Sequence, residues 1–199
     1  MAASGYGGEK AGIVARGVPT LIAAALFAWL LRMVPEVQAG GAVAFGIDWL
    51  PALGIGLDFR VDGLSLTFGL LITGIGALVT FYAQSYMLGH PRYARFALYL
   101  TSFMIAMLGL VLSGDVIGLF VFWELTSVTS YLLIGFNHDE EDSRRSALQA
   151  LLVTGMGGLA LLAGLLMLGE VAGTYSISGI LAQGEIDRKS TRLNSSHWW

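Results

Sequence analysis

Along the chain, long runs without a charged side chain alternate with short polar connectors. A helix needs about 20 apolar residues to cross the roughly 30 Å hydrocarbon layer of a bilayer, and five windows approach or exceed that length. The first covers residues 17–34, with Pro19 near its start, Arg32 near its end and Pro35 closing it. The second, 64–87, has no charge and ends in Tyr82 and Tyr86, aromatic side chains suited to the membrane interface. The third, 96–114, and the fifth, 146–169, are charge-free, and the fourth, 116–136, contains only Glu124. This pattern predicts an all-α membrane protein, a polytopic bundle of about five transmembrane helices. Buried helices of a large soluble protein read similarly, but so many uninterrupted windows in so short a chain leave too little polar surface to face water.

The connectors carry their own signals. VAFGIDWL and GLDFRVD alternate apolar with polar residues and are separated by Pro51 and Gly54, which predicts a short β-like hairpin between spans one and two. Residues 1–16 are Gly- and Ala-rich, too polar to span, and lack a cleavable signal pattern; they are expected to be a disordered lead-in. At the other end, residues 187–197 (DRKSTRLNSSH) read as the in-frame translation of a sequencing-library adapter, so 187–199 is expected to be an artefactual tail. The transmembrane region is then 17–186, and the acceptor-like Asn194-Ser195-Ser196 carries no meaning. Five alternating spans put Lys10, Arg16, Arg92, Arg95, Arg144 and Arg145 on one side, against Arg60 and the helix-end Arg32 on the other. Because cytoplasmic loops are enriched in Lys and Arg, the N-terminus is expected to be cytoplasmic.

Composition narrows the function. The chain is 55% hydrophobic and only 13% charged, against about a quarter charged in soluble domains. Its net charge of −3 and scattered basic residues leave no electrostatic footprint for nucleic acid. There is no cysteine, which excludes disulfides, thiolate metal sites and iron–sulfur ligation by this chain.

Against this background Glu124 stands out. It is the ninth residue of the fourth window, about 12 Å along the helix and therefore near the bilayer midplane. A carboxylate at that depth costs about 2.5 kcal/mol or more to insert and normally faces a bundle interior. Burial favours its neutral form and a nearby cation its charged form, so a mobile positive charge can make it take up and release a proton. Ser127 and Tyr131 follow at i+3 and i+7 on the same face, and Thr126, Thr129 and Ser130 add hydroxyls that can bond the backbone or hold water. The alternative is a structural glutamate among hydroxyls that glue helices together.

Other polar residues read as structural. Asp62 in VDGLS suits a helix N-cap better than ion entry. The run Asn137-His138-Asp139-Glu140-Glu141-Asp142 reads as a solvated connector. His90 and His138 lack metal-ligand spacing. Gly155, Gly157, Gly158 and Gly164 follow no strand and precede no lysine, so they suit close helix packing rather than phosphate binding. No cofactor or metal site is read from the chain.

The stretches WLPALGIGLDFRVDGLSLTFGLLITGIGALVTFYAQSYM (49–87), MLGLVLSGDVIGLFVFWELTSVTSYLLIGF (107–136) and LLVTGMGGLALLAG (151–164) closely resemble the A-type subunit of the multisubunit Mrp-type Na⁺/H⁺ antiporter, itself homologous to antiporter-like subunits of respiratory complex I. The resemblance implies a component of a monovalent cation/proton antiporter that is not an enzyme. Its partners would be other antiporter subunits, Na⁺ and H⁺ as transported ions, and the lipid bilayer of the cell membrane. It also gives the glutamate of FWELTS, here Glu124, a role in proton translocation. In that family the glutamate works with a lysine on a later, broken helix. The only lysines here are Lys10 and Lys189, and the five spans correspond to the family's second to sixth helices, so the fragment is expected to stop before that lysine. A proton-pumping subunit of complex I or of a membrane-bound hydrogenase is the alternative, sharing the VDGLS and FWELTS regions in outline.

Overall fold

The computed structural model describes residues 5–50 and 55–183. Its elements run α1 (Gly5–Leu31), α2 (Val34–Gln38), β1 (Val43–Leu50), β2 (Ile55–Val61), α3 (Gly63–Tyr86), α4 (Tyr93–Leu112), α5 (Val116–Ile134), α6 (Glu141–Ala172) and α7 (Ile177–Ala182). Five segments are long and apolar enough to cross a membrane: Arg16–Gln38, α3, α4, α5 and α6. They are the five windows of the hydropathy pattern, and the chain is a multi-pass helical membrane protein.

Two boundaries differ from expectation. The backbone is helical from Gly5, so most of the expected disordered lead-in instead extends α1. Its Ala, Glu, Lys and Arg residues are good helix formers, and the helix runs through Pro19 even though that residue has no amide hydrogen to donate. The short α7 lies beyond the fifth window, where the hydropathy pattern predicts no element. The tail 187–199 falls outside the described residues.

The spans pack in chain order, α1 on α3, α3 on α4, α4 on α5 and α5 on α6. At 32 residues α6 is about 48 Å long, more than the hydrocarbon layer needs. Its polar first turns, with Glu141, Asp142, Arg144 and Arg145, therefore extend past the apolar zone.

The expected hairpin is present: β1 and β2 pair antiparallel, with Val43 opposite Val61 and Phe45 opposite Phe59. Alternation sends Val61 into a buried cluster with Leu30, Leu66, Leu108 and Leu112. The hairpin therefore closes one end of the bundle over α1, α3 and α4. Aromatic rings continue that contact from Trp29 through Phe45 and Phe59 to Phe122 on α5, with centroid separations of 6.1, 5.3 and 5.8 Å. At the opposite end Met87, Tyr93 and Ala97 pack with Phe96 and Phe136. There the Tyr93 hydroxyl donates to the Arg16 carbonyl at 2.8 Å and Arg92 pairs with Asp139 at 2.5 Å. Arg16 and Arg92 thus gather at this end, while Arg60 lies in the hairpin at the other.

At the hairpin end, Asp115 caps α5 and joins three segments. It is 6% exposed. Oδ1 accepts from the Gly118 amide at 2.6 Å and Oδ2 from the Asp58 amide of β2 at 3.2 Å. Beside it the Gly114 amide donates to the Asp58 carbonyl, the Val116 amide to the Tyr175 carbonyl and the Ile177 amide to the Gly114 carbonyl. The hairpin, the α4–α5 turn and the α6–α7 linker are bound together at this point.

Asp62 is the N-cap anticipated from VDGLS. It accepts from the Leu64 and Ser65 amides at 3.1 and 3.0 Å, while Ser65 Oγ accepts from the Asp62 amide at 2.7 Å, a reciprocal capping box. The Ser65 amide, opposed by partial burial and aided by the Ser65 hydroxyl, the Leu64 amide and Arg60, holds the Asp62 carboxyl below the usual aspartate range. A group whose folded value is depressed stabilises the fold above its unfolded value and stops doing so as pH falls through the folded one. Asp62→Ala is expected to lower stability by about 1 kcal/mol at neutral pH. Thermal melts in detergent should show that difference shrinking below about pH 4; a difference unchanged down to strong acid would argue against a charged cap.

Candidate functional site

Glu124 is the ninth residue of the 19-residue α5, close to its middle. Its neighbours splay to different sides because successive helical residues are rotated by about 100°. Phe122 faces α4, its ring lying so close over Gly109 that a side chain there would have to displace it. Trp123 and Leu125 lie on the outside of the bundle, 42% and 43% exposed. Glu124 faces α6, where its carboxyl group meets the buried Gly158.

Glu124 as a residue is half-buried, but its Oε1 is buried and has no hydrogen-bond partner, alone in this among side-chain polar atoms of the described residues. Buried polar atoms are almost always satisfied, because an orphan costs about 1–3 kcal/mol. The unmatched carboxyl oxygen between two spans sets Glu124 apart from the saturated polar groups around it.

The supporting residues are arranged less tightly than the helical spacing suggests. The Ser127 side chain is buried but donates to the Trp123 carbonyl at 3.3 Å. Thr126 and Thr129 likewise donate to the Trp123 and Leu125 carbonyls, both at 2.7 Å. These hydroxyls satisfy their own helix, and among the described contacts none reaches Glu124. Tyr131 lines a cleft of about 360 Å³ between α4, α5 and α6, with Arg95, Tyr99, His138, Arg144 and Leu148. That cleft lies at the arginine-rich end, about 10 Å along the helix from Glu124.

The remaining candidates sit in the connectors. Asp139 is exposed, its carboxyl held low chiefly by the hydrogen bond from Arg92, and Glu141 and Asp142 occupy the first turn of α6. His90 accepts from the Arg92 amide at 3.1 Å, and His138 lies 3.5 Å from Asp139. Of the four glycines read as packing residues, only Gly158 makes a close approach. Gly155, Gly157 and Gly164 meet nothing within 4 Å, and the atoms nearest a Cβ at Gly158 are those of the Glu124 carboxyl group rather than helix backbone. Sequence reasoning missed Gly158 as the neighbour of Glu124, and it missed Asp115. The latter had a signal in the cap-forming aspartate directly before an apolar run.

The fourth of five spans in this multi-pass bundle thus turns a carboxyl group near its middle toward the fifth. Comparison with known proteins gives the family. The family described as "NADH-Ubiquinone oxidoreductase (complex I), chain 5 N-terminus" matches residues 49–97, and "NADH:quinone oxidoreductase/Mrp antiporter, TM" matches 113–196. A putative antiporter subunit mnhA2 of Staphylococcus haemolyticus is 47% identical over 78% of this chain and 20% of its own length. The A/B subunit of a probable K⁺/H⁺ antiporter of Rhizobium meliloti is 44% identical over 84% of this chain and 17% of its own. Among solved structures, the Mrp complex of Dietzia sp. superposes with a TM-score of 0.73 at 34% identity, over 86% of this chain and 18% of that one. An archaeal membrane-bound sulfane sulfur reductase shares the fold, with a TM-score of 0.68 at 20% identity over 86% of this chain and 34% of that one. The chain belongs to the membrane subunits common to NADH:quinone oxidoreductases and Mrp antiporters, and it corresponds to the N-terminal region of the A-type Mrp subunit. It spans about a fifth of the length of the curated relatives it matches.

Proposed function

We propose that this chain is part of a subunit of a monovalent cation/proton antiporter in the plasma membrane, exchanging Na⁺ for H⁺, with Glu124 as a proton-carrying group. It works as a transporter component rather than as a catalyst of covalent chemistry. The observation that carries this reading is the buried, unpartnered Oε1 of Glu124 in the middle of α5. An oxygen without a fixed partner can accept a proton, a water or the approach of a cation, whereas a structural carboxylate would be saturated.

The proton approaches Glu124 from the arginine-rich end, where the Tyr131 cleft opens between α4, α5 and α6. That end faces the cytoplasm, because Lys and Arg are retained there, and the N-terminus lies on the same side. The cation that answers Glu124 is a lysine elsewhere in the complete protein, which works inside a hetero-oligomer of antiporter subunits. A second reading, a proton-pumping subunit of a quinone-linked oxidoreductase, is supported by the complex I family match over residues 49–97.

Transport separates the two. Everted vesicles carrying the complete antiporter and a preformed pH gradient should dissipate that gradient on addition of Na⁺. A gradient that ignores Na⁺, and that instead builds up only when an electron donor is oxidised, would favour the second reading.

A further inference from the structure

The unmatched oxygen and the glycine opposite it belong to one arrangement. A Cβ at Gly158 would collide with Glu124 Oε1 and stand 3.0 Å from the carboxyl carbon and 3.7 Å from Oε2. The three nearest atoms all belong to the Glu124 carboxyl group, and none to the α5 backbone. Gly158 is buried, while Gly157 beside it is exposed and has open space around it. From this we infer that Gly158 is a positioning residue for Glu124, and that its missing side chain forms the seat in which the proton-carrying carboxyl group rests against α6. The inference rests on the function proposed above and adds the residue that fixes where its carboxyl group stands.

The physical consequence is specific. Had Gly158 approached the α5 backbone, a larger residue would force the two helices apart and cost stability. Here the obstacle is the far end of a flexible side chain, which can turn to another rotamer. Alanine at position 158 should therefore displace the carboxyl group and leave the bundle intact, and alanine favours helix over glycine. Misplacing a reacting group by about 1 Å is enough to lower rates strongly.

The test uses the complete antiporter in vesicles, with assembly and thermal stability measured in parallel. Gly158→Ala is expected to melt no lower than wild type and to exchange about tenfold more slowly or worse, while Gly157→Ala matches wild type in both. Glu124→Asp draws the carboxyl group back from the seat, so adding Gly158→Ala to it should cost little more. Wild-type exchange in Gly158→Ala would overturn the inference, as would a full additional loss in the double variant. If Gly158→Ala fails to assemble, Glu124→Ala/Gly158→Ala decides: restored assembly supports a collision with the carboxyl group, and continued failure refutes it. The proposed function is tested separately by Glu124→Gln, so an inactive Glu124→Gln beside a fully active Gly158→Ala removes only the present inference.

Discussion

An antiporter carrying Glu124→Gln is expected to assemble at the wild-type level and to lose cation-dependent proton exchange by roughly a hundredfold or more, the scale on which positioned proton-transfer groups act. Glutamine keeps the length and shape of the side chain, so the contact with Gly158 and the packing of α5 on α6 are retained. Stability should change little, because the exchanged oxygen has no partner to lose. What disappears is the ability to take up and release a proton in the middle of the bilayer. Glu124→Asp keeps that ability in a shorter side chain and should exchange at an intermediate rate. The measurement is Na⁺-induced dissipation of a pH gradient in everted vesicles, normalised to assembled complex. Exchange at the wild-type rate in Glu124→Gln would end the proton-carrying assignment, and loss of assembly would return Glu124 to a structural role.

How much of this was legible in the sequence depends on the range of the interaction concerned. The spans α3 to α6 were visible because a run of charge-free residues is both necessary and nearly sufficient for a membrane helix, and their ends agree with the windows to within about a turn at most termini. The early start of α6 at Glu141 differs because the window was cut at the charges, which water outside the bilayer accepts. The start of α1 at Gly5 was missed for a related reason: polarity excludes a residue from lipid, but it does not exclude helix. The Asp62 cap was readable since all its partners lie within five residues. The mid-helix position of Glu124 was readable, yet its neighbour was not. That Gly158 and not Gly155, Gly157 or Gly164 meets the carboxyl group depends on the rotation and axial offset of α6 against α5, which local spacing does not contain. The same limit applies to the hydroxyls of Ser127, Thr126 and Thr129. Helical spacing put Ser127 on the Glu124 face, but the choice between facing the path and bonding the i−3 or i−4 carbonyl is made by packing.

Stability and transport should separate at the other end of α5. Asp115→Ala is expected to destabilise the protein by about 1.5–2.5 kcal/mol, combining the loss of an N-cap, about 1 kcal/mol, with the loss of a part-buried hydrogen bond to the Asp58 amide, about 0.5–1.5 kcal/mol. Both contributions apply because the residue is 6% exposed and its two carboxyl oxygens serve different segments, Gly118 of α5 and Asp58 of β2. The effect should spread, since the Val116, Gly114 and Ile177 amide bonds that tie the α4–α5 turn to β2 and to the α6–α7 linker flank the same residue. Asp115→Asn retains one carbonyl oxygen and should lose about half as much. Thermal unfolding of the purified complex in detergent measures both, and a shift for Asp115→Ala no larger than that of an exposed substitution would show that the backbone bonds hold the junction without the carboxylate. Glu124 lies nine residues further along the same helix, beyond the loosened turn, so exchange per assembled complex should fall far less in Asp115→Ala than in Glu124→Gln. The two ends of α5 then divide the work: Asp115 sets where the helix begins and what it is tied to, and that fixed start determines the register in which Glu124 meets Gly158.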